Sequence, residues 1–368
     1  MPAPNKYRVA VIGRTGKGGY GHGLDTVWRK CDRAEVVAVA DENEAGRAKA
    51  AKTLGAKTAY ADYREMLAKE KPRIVSVADR WPDCHRDMVV ACAEHGASIF
   101  LEKPVARTLQ EADEMVAACE RHHVKCALAH QTRYSPRVKV VKQLIADGRL
   151  GDILDLRGHG KEDQRGGGED LMVLGTHAFD LMQHLAGPAR WCSARINQAG
   201  RKAVAGDIRP GGEAMGPVQG DHIAATYGFD GLAVGSFVTH KAKAGVGGRY
   251  WFEIRGTKGL IQLGYGVLPA AFLCEDPSGM TGAGKVPWQP ITSNGVGMPE
   301  TLDAKELENG NILIVNDLID AIEKDRAPLD SIHDGRAALE MILAVYESHR
   351  LERLVELPLK NRRHPLQQ

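Results

Sequence analysis

The chain lacks the features that would assign it to nucleic-acid binding or to a membrane. Its 49 basic and 47 acidic side chains nearly cancel, giving a formal net charge of +2, so no overall field favours an anionic polymer or lipid surface. No apolar run of about 18 residues, the length needed to cross a bilayer, occurs, and the first residues enter a strand pattern without a signal sequence. We expect a cytoplasmic protein whose partner is a small molecule.

The seven cysteines lack a recognisable spacing. They form no C-x-x-C pair and no combination with histidine that is typical of metal ligands. Their number is odd and most of them fall in apolar segments, which favours buried free thiols in a reducing compartment over disulfides. We predict no metal site.

Aromatic residues make up only 5% of the chain, so those near predicted strand ends are informative. Trp81 and Tyr134 could each lie against a nicotinamide or a sugar ring, or could simply pack in the core. Arg80 likewise has two interpretations, a contact with a cofactor or with solvent.

The first third of the chain shows a regular alternation of strands and helices. A length of 368 residues predicts two domains, and short, almost continuously apolar strands between amphipathic helices are typical of a parallel sheet covered on both faces. We predict an α/β class with a doubly wound Rossmann domain over residues 1–129. The predicted strands are 8–12, 36–40, 74–78, 98–101 and 125–129, and the predicted helices are 44–53, 62–68, 84–94 and 109–122.

From residue 130 the pattern changes to longer strands that alternate apolar and polar residues. Separations such as F-D-G at 229–231 and G-T-K-G at 256–259 predict antiparallel hairpins. We expect a C-terminal α+β domain, residues 130–368, with a large, mainly antiparallel open sheet, and hence a homodimer or homotetramer. Glycine-rich segments are either surface loops or lids and subunit contacts; they lie at 158–168, 200–220 and 245–248.

The first strand runs into a turn that is unusually rich in glycine, with glycines at 13, 16, 18, 19, 21 and 23. Glycine lets backbone N–H groups approach a pyrophosphate ahead of a helix, which we expect to begin near Leu24. The spacing departs from G-x-G-x-x-G, so a flexible surface loop fits the turn equally well. The second strand ends at Asp41, where this fold places an acceptor for ribose hydroxyls. Because Glu42 adds a second carboxylate that repels a 2′-phosphate, we expect NAD rather than NADP.

The segment F-L-E-K-P places two charged residues, Glu102 and Lys103, at the end of a buried strand. Open α/β sheets bind ligands beyond the carboxyl ends of their strands. A lysine there could stabilise a substrate alkoxide or take up its proton. Alternatively, Glu102 and Lys103 form an ion pair that caps the strand.

Segments along nearly the whole chain resemble the Gfo/Idh/MocA oxidoreductase family. The combination of E-K-P with G-x-H-x-x-D about 70 residues later is the specific element, since each piece alone is weak. The segments that carry the resemblance are V-A-V-I-G near the start, I-F-L-E-K-P-V-A-R, H-Q-T-R-Y-S-P-R, G-T-H-A-F-D and F-E-I-R-G-T-K-G.

The resemblance implies hydride transfer between a nicotinamide and a CH–OH group of a sugar, polyol or sugar derivative. It implies catalytic roles for Lys103 and His177 and a cis peptide bond between Lys103 and Pro104. On this basis the cofactor is expected along Gly13, Arg14, Thr15, Gly21, Asp41, Ala78, Arg80, Trp81, His85, Glu102, Lys103 and Gln131. The substrate is expected against Arg133, Tyr134, Glu169, Asp170, Val173 and His177.

The chain departs from the family pattern at one important position. Dehydrogenases of this family commonly read D-x-G-x-H, whereas Val173 stands here four residues before His177. Positions i and i+4 share a helix face, so the missing carboxylate would have oriented the imidazole or held a substrate hydroxyl. Asp180, His184, Glu169 and Asp170 are possible substitutes, with Asp180 as a third catalytic candidate. Each of the four also has a purely structural interpretation.

Three functions fit these features. The first is a sugar dehydrogenase that uses NAD. The second is an enzyme that retains NAD and cleaves glycosides by transient oxidation and elimination, for which the loss of the family aspartate leaves room. The third is a sugar or dinucleotide sensor without catalysis, against which the presence of Lys103 and His177 argues.

Overall fold

The computed structural model describes residues 6–242, 248–279 and 286–367. Contacts divide the chain into two compact units. The first comprises Met1–Ala129, Gly212–Gly216 and Leu307–Arg336, and the second comprises His130–Gly211, Pro217–Glu306 and Ala337–Gln368. Two segments that the sequence assigned to the C-terminal domain therefore belong to the first unit. Most of the glycine-rich segment 245–248 lies outside the described residues.

The first unit is built on a parallel sheet. Its strands are β1 (Tyr7–Ile12), β2 (Ala34–Ala40), β3 (Thr58–Tyr60), β4 (Ile74–Val77), β5 (Ser98–Leu101) and β6 (Cys126–Leu128). They pair in the order β3-β2-β1-β4-β5-β6, all parallel. Val9, Ala10 and Val11 are fully buried, which explains why the strand sequences show no polar alternation. β3 was not predicted; it has only three residues, none of them buried.

Helices join these strands, and three of the four begin at a residue whose side chain caps the helix. They are α1 (Glu44–Leu54), α2 (Tyr63–Glu70), α3 (His85–Glu94) and α4 (Leu109–Arg121). The side chains of Asn43, Asp62 and Thr108 accept backbone hydrogen bonds at the starts of α1, α2 and α4, each cap contributing about 1 kcal/mol. The Rossmann prediction is confirmed.

The second unit is built on a large mixed sheet with helices beside it. Its first helices are α5 (Pro136–Ala146), α6 (Gly168–Val173) and α7 (Gly175–Ala186). The strands that follow α5 are β7 (Ile153–His159), β8 (Trp191–Gln198), β9 (Arg201–Lys202), β10 (Arg209–Pro210), β11 (Pro217–Val218), β12 (His222–Gly228), β13 (Val234–His240), β14 (Phe252–Gly256), β15 (Leu260–Leu263), β16 (Ala271–Cys274), β17 (Gln289–Thr292) and β18 (Gly295–Val296).

Three further elements complete the chain. They are α8 (Asn311–Glu323), α9 (Ile332–Leu351) and β19 (Val355–Glu356). In the described part of the chain, the large sheet has eleven strands in the order β18-β17-β16-β15-β14-β7-β13-β12-β8-β19, with β9 beside β8. Only β7 and β13 pair in parallel among them, and both expected hairpins form, at β12–β13 and β14–β15. The expected fold class is thus confirmed.

Two further findings concern the thiols and the membrane. All seven cysteines are free, and all except Cys84 are buried. Within the described ranges, no helix has both the length and the hydrophobicity to cross a bilayer.

Candidate active site

The glycine-rich turn after β1 folds back on itself. Arg14 and Gly19 exchange two backbone hydrogen bonds of 3.0 Å, and Gly18 and Gly21 adopt φ values of 101° and 64°, which glycine tolerates best. The turn ends in a short 3-10 segment, Thr26–Lys30. The helix expected near Leu24 is therefore only a short 3-10 helix that begins at Thr26, because the chain becomes extended again at Cys31.

Two glycines of the turn lie against the carboxyl ends of β4 and β5. A Cβ atom on Gly18 would stand 1.9 Å from Asp79 Oδ1, and one on Gly21 would stand 2.6 Å from the Ala78 carbonyl oxygen. Neither distance leaves room for a side chain. Glycine therefore brings the backbone of the turn to the sheet edge where open α/β sheets bind ligands.

Asp41 anchors the start of the same turn from the end of β2. Its carboxylate is 2% exposed and accepts hydrogen bonds from Thr15 N at 3.0 Å, Thr15 Oγ1 at 2.7 Å and Asn43 N at 2.9 Å. The acceptor capacity of Asp41 is thus largely used within the protein. A ribose hydroxyl that binds Asp41 must take over the bond from Thr15 Oγ1.

Tyr20 covers Gly13, a contact that the sequence analysis missed. A Cβ atom on Gly13 would lie 2.4 Å from the Tyr20 ring, so the two residues fit only because position 13 is glycine. Burial, together with the negative charge of Asp41, raises the pKa of Tyr20. Its phenol therefore stays protonated and able to donate a hydrogen bond.

A cavity of about 200 Å³ opens beside Asp41. Complete small-molecule pockets usually measure about 300–1,000 Å³, so this volume suits one half of a dinucleotide. Its wall carries three carboxylates (Asp41, Glu42 and Asp87) and two guanidinium groups (Arg14 and Arg64). Because Arg14 already binds Asp79 and Asp83, the remaining charge is negative and disfavours an additional phosphate. The lining residues are Ile12, Gly13, Arg14, Ala40, Asp41, Glu42, Ala61, Tyr63, Arg64, Cys84, Asp87 and Met88.

Arg14 binds two carboxylates beyond the end of β4. Its Nη1 lies 2.9 Å from Asp79 Oδ2 and 2.8 Å from Asp83 Oδ1. Burial raises the pKa of Asp79 despite this cation, and Cys84 Sγ contacts the same carboxylate at 3.1 Å. The Cys84 thiol and the two carboxylates lie close enough together to bind a metal ion. The guanidinium group of Arg14, however, already balances the negative charge of the carboxylates.

Arg80 and Trp81 connect the turn to the strand ends through hydrogen bonds within the protein. Arg80 Nε donates to the Gly18 carbonyl at 3.0 Å, and Trp81 N donates to Asp79 Oδ1 at 2.9 Å. These bonds fix the shape of the turn. They place both residues at the expected cofactor edge.

Glu102 and Lys103 end β5 in a buried position. The Glu102 side chain is 0% exposed and that of Lys103 is 8% exposed, with 3.8 Å between Nζ and Oε1. His22, from the glycine-rich turn, places Nδ1 3.0 Å from the same Oε1. Burial alone would raise the pKa of Glu102, but the His22 hydrogen bond and the charge of Lys103 outweigh it and hold that pKa below its ordinary value.

His85 supports the loop that follows Lys103. The Lys103–Pro104 bond is cis, as the resemblance implies. The His85 ring is fully buried, with Nδ1 3.0 Å from the Pro104 carbonyl and Nε2 2.8 Å from the Asp79 carbonyl. Both ring nitrogens thus contact backbone oxygens, which indicates a loop-holding role rather than the expected cofactor contact.

In the second unit, Val173 and His177 lie on different helices. α6 ends at Val173 and α7 begins at Gly175, so the argument that positions 173 and 177 share a continuous helix face is wrong. Gly175 packs closely at the start of α7, because a Cβ atom there would stand 3.2 Å from the rings of Phe179 and Phe237.

His177 belongs to a cluster that includes His130, a residue missed from the sequence. The two imidazole rings meet edge to face at 5.4 Å between centroids, and His130 Nε2 lies 2.9 Å from Thr176 Oγ1. Asp180 Oδ1 binds Arg133 Nη2 at 2.6 Å and lies 3.7 Å from His130 Nδ1. Asp180 therefore forms an ion pair with Arg133 beside the histidines.

Glu169 and Asp170 both hold parts of the fold. Asp170 is fully buried and accepts hydrogen bonds from Thr239 Oγ1 and from the backbone N–H groups of Lys161 and Glu162. Burial raises the pKa of Asp170 above its ordinary value. Glu169 forms an ion pair with Arg209 at 2.6 Å. Both contacts favour the structural interpretation of these carboxylates.

Tyr265 is a second residue near His177 that the sequence analysis missed. Its ring lies 6.5 Å from the His177 ring and stacks on Tyr250 at 4.3 Å. Its buried hydroxyl has no hydrogen-bond partner among the described residues. The backbone of the next residue, Gly266, donates to Thr132 Oγ1 at 2.8 Å. Tyr265 thus lies near the loop after β6 that carries the expected residues Gln131, Arg133 and Tyr134.

Comparison with known proteins identifies the family. Residues 7–130 match the model described as oxidoreductase family, NAD-binding Rossmann fold, and residues 142–357 match that of the C-terminal alpha/beta domain of the same family. The chain belongs to the Gfo/Idh/MocA oxidoreductase family. The expectations of an oxidoreductase and of NAD as its cofactor are thereby confirmed.

Individual relatives in this family are named as sugar dehydrogenases. Levoglucosan dehydrogenase of Pseudarthrobacter phenanthrenivorans is 28% identical over 358 residues, covering 87% of this chain and 89% of that protein. D-apiose dehydrogenase of Paraburkholderia graminis is 30% identical over 193 residues, covering 49% of this chain and 50% of that protein. A solved levoglucosan dehydrogenase complex with NADH and levoglucosan has a TM-score of 0.76 at 22% identity, covering 96% of this chain and 100% of that chain. That structure supports the fold.

Proposed function

We propose that the protein transfers a hydride between NAD and a CH–OH group of a sugar, polyol or sugar derivative, with Lys103 and His177 at the reacting centre. The observation that carries the proposal is the buried position of Lys103 at the end of β5, beside the ionised Glu102. Burying a cation and an anion costs free energy, and buried charged groups of this kind cluster at functional sites. The names of the two sugar dehydrogenases support the substrate class.

The residues that would hold NAD belong to the first unit. The backbone of the Gly13–Gly23 turn, Asp41 and the cavity beside it match the donors, acceptor and space that a dinucleotide requires. The carboxylates of Glu42 and Asp87 in the cavity wall support NAD over a cofactor with an extra phosphate. Bound NAD⁺ supplies the acceptor for the hydride of the carbinol carbon.

Lys103 and His177 divide the proton chemistry. One of them removes the proton of the substrate hydroxyl, and the other stabilises the oxyanion that develops. Lys103 is the better candidate for the base once its ammonium has lost a proton, since the carboxylate of Glu102 remains to balance the charge that the neutral amine gains from the substrate. His177 then donates to the substrate oxygen, with His130 packed against its ring.

A second candidate function is redox-neutral cleavage of a glycoside by transient oxidation. The observation in its favour is Val173, which removes the usual carboxylate and ends α6. Without that carboxylate, α-proton abstraction from the oxidised sugar falls to another group, such as Lys103. Elimination and re-reduction would follow without net NADH.

A substrate panel tests both candidates. The purified protein is incubated with NAD⁺ or NADP⁺ and levoglucosan, D-apiose, D-glucose 6-phosphate, myo-inositol or 4-nitrophenyl β-D-glucoside, and both reduced cofactor and released nitrophenol are followed. The proposal predicts NADH from at least one sugar or polyol and little activity with NADP⁺. Nitrophenol release without NADH would favour the second candidate, and activity with neither would contradict both.

A further inference from the structure

Three side chains of the first unit form a continuous path from a buried lysine to the surface. Lys103 Nζ lies 3.8 Å from Glu102 Oε1, and His22 Nδ1 lies 3.0 Å from the same oxygen. The two inner side chains are almost closed to solvent, at 8% exposed for Lys103 and 0% for Glu102, whereas that of His22 is 51% exposed. The path therefore begins at the proposed base and ends at solvent.

A purely structural ion pair would not explain this arrangement. Glu102 Oε2 is buried without a hydrogen-bond partner in the described ranges, although a carboxylate kept only for stability normally has both oxygens satisfied. Gly21 adjoins that oxygen, because a Cβ atom on it would lie 3.1 Å away. The glycine-rich turn thus holds His22 against a carboxylate that keeps spare acceptor capacity.

We propose that His22, Glu102 and Lys103 form a proton relay between the reacting centre and solvent. The inference rests on the proposed function, in which Lys103 takes the substrate proton. Lys103, as an ammonium, first gives one proton to Glu102 Oε1; Glu102 gives it to His22 Nδ1, in the tautomer that carries its proton on Nε2, and His22 releases the Nε2 proton to water. The neutral amine of Lys103 then takes the substrate proton: the O–H bond of the substrate breaks and an N–H bond forms on Lys103, which restores the ammonium. Reduction of a carbonyl runs the same steps in reverse.

The geometry assigns the outer step to His22 rather than to another histidine. His22, Lys103 and His85 are the basic side chains that lower the pKa of Glu102. Both His85 nitrogens contact backbone carbonyls in the buried loop, so that ring has no route to water. Imidazole exchanges protons near neutral pH, and only the His22 ring is open to solvent. The 3.8 Å between Lys103 and Glu102 exceeds a hydrogen bond, so the ammonium must approach by about 1 Å during transfer.

Two measurements test the relay in the complete protein. First, kinetics of His22→Ala and His22→Gln are compared with wild type and with His95→Gln, which alters an exposed histidine at the end of α3. His22→Ala should lose about 10²-fold in kcat, with the Kd for NADH unchanged. Added imidazole should recover at least a tenth of the kcat that the substitution removes. Second, long-range ¹H–¹⁵N spectra of the cofactor-free protein should show the His22 Nδ1 signal moving on Glu102→Gln.

The outcomes separate the relay from the function on which it rests. If wild type and His95→Gln oxidise a sugar but His22→Ala keeps its kcat, the relay is wrong and the proposed function stands. Loss of activity without imidazole rescue, or with weaker NADH binding, assigns His22 to structure or cofactor binding and also overturns the relay. If wild type reduces no NAD⁺ with any substrate, the proposed function is wrong, and the relay that rests on it is wrong as well.

Discussion

Replacing Tyr265 by Phe removes one buried oxygen and leaves the ring that contacts His177 in place. The hydroxyl of Tyr265 has no hydrogen-bond partner among the described residues, and burial raises the pKa of this phenol well above its ordinary value. A neutral donor held near His177 without a partner is suited to a substrate hydroxyl. We therefore expect Tyr265→Phe to lower activity while raising stability.

The magnitude follows from the cost of an unsatisfied buried group. Such a hydroxyl destabilises the fold by about 1–3 kcal/mol, so Tyr265→Phe should stabilise the protein by about 1 kcal/mol, or about 2–4 °C in Tm for a unit of this size. The hydrogen bond lost to substrate should lower kcat/KM by about 10-fold, since each 1.4 kcal/mol is one factor of ten.

Tyr227→Phe is the matched control. Tyr227 is also buried in the second unit, but its hydroxyl donates to the Met341 carbonyl at 3.0 Å. Its removal should therefore destabilise the protein by about 1 kcal/mol and leave kcat/KM unchanged. Urea unfolding gives the stabilities, and NADH production on the best substrate of the panel gives the rates.

Opposite signs for the two variants are the essential result. If Tyr265→Phe is destabilised as much as Tyr227→Phe, the hydroxyl of Tyr265 already has a partner in the free protein. If Tyr265→Phe is more stable but fully active, the hydroxyl does not contact the substrate. Either result would refute the reasoning.

The remaining predictions concern the turn and two ionisable groups. Gly18→Ala should weaken NADH binding at least 10-fold by calorimetry, because its Cβ would meet Asp79, whereas Gly16→Ala, with open space around it, should cost only about 1 kcal/mol of stability. Burial lowers the pKa of His364 to about 4 from 6.5, so the folded protein holds this ring neutral while the unfolded chain protonates it. The free energy of unfolding is therefore highest above pH 6.5 and falls by about 3 kcal/mol as the pH drops to 4. In urea unfolding, His364→Phe should lack this pH dependence. Although burial opposes ionisation of Glu300, hydrogen bonds from Ser293 and Leu302 and from Arg137 hold the pKa of Glu300 to about 2. Glu300→Gln should therefore lose about 2 kcal/mol at neutral pH, and its unfolding free energy should vary less than that of wild type between pH 4.5 and 2.

The parts of the fold that the sequence predicted are those set by local patterns. The apolar runs of β1, β2, β4 and β5 are continuous because both faces of the parallel sheet are buried. β16 and β17 were not predicted; β17 contains Pro290, and a proline within a run argues against a strand. The helix expected near Leu24 is limited to a 3-10 helix, Thr26–Lys30.

The residues missed in the candidate site share a different cause. His130 and His177 are 47 positions apart in the sequence, and Tyr265 is a further 88 positions away, so no spacing rule brings them together. Only the ring contacts of the folded second unit do so. One signal was available for His130, which directly follows the last parallel strand, at the edge where such sheets bind ligands.

His22 could not be assigned from the sequence because the turn was expected to lead into a helix. Its position against Glu102 depends on the tight loop closed between Arg14 and Gly19. Likewise, the position of Asp41 was predictable from the end of β2. The hydrogen bond that its carboxylate accepts from Thr15 Oγ1 is evident only in the folded turn.

The central claim is that Lys103 performs proton chemistry in an NAD-dependent oxidation. Its most direct test is Lys103→Met, compared with Lys125→Met as a control for losing a lysine of the same unit, in single-turnover NADH formation and in NADH titrations. The account predicts a loss of at least 10³-fold in the rate for Lys103→Met, with NADH affinity within about threefold of wild type and Lys125→Met unaffected. A Lys103→Met protein that forms NADH at the wild-type rate would contradict the account.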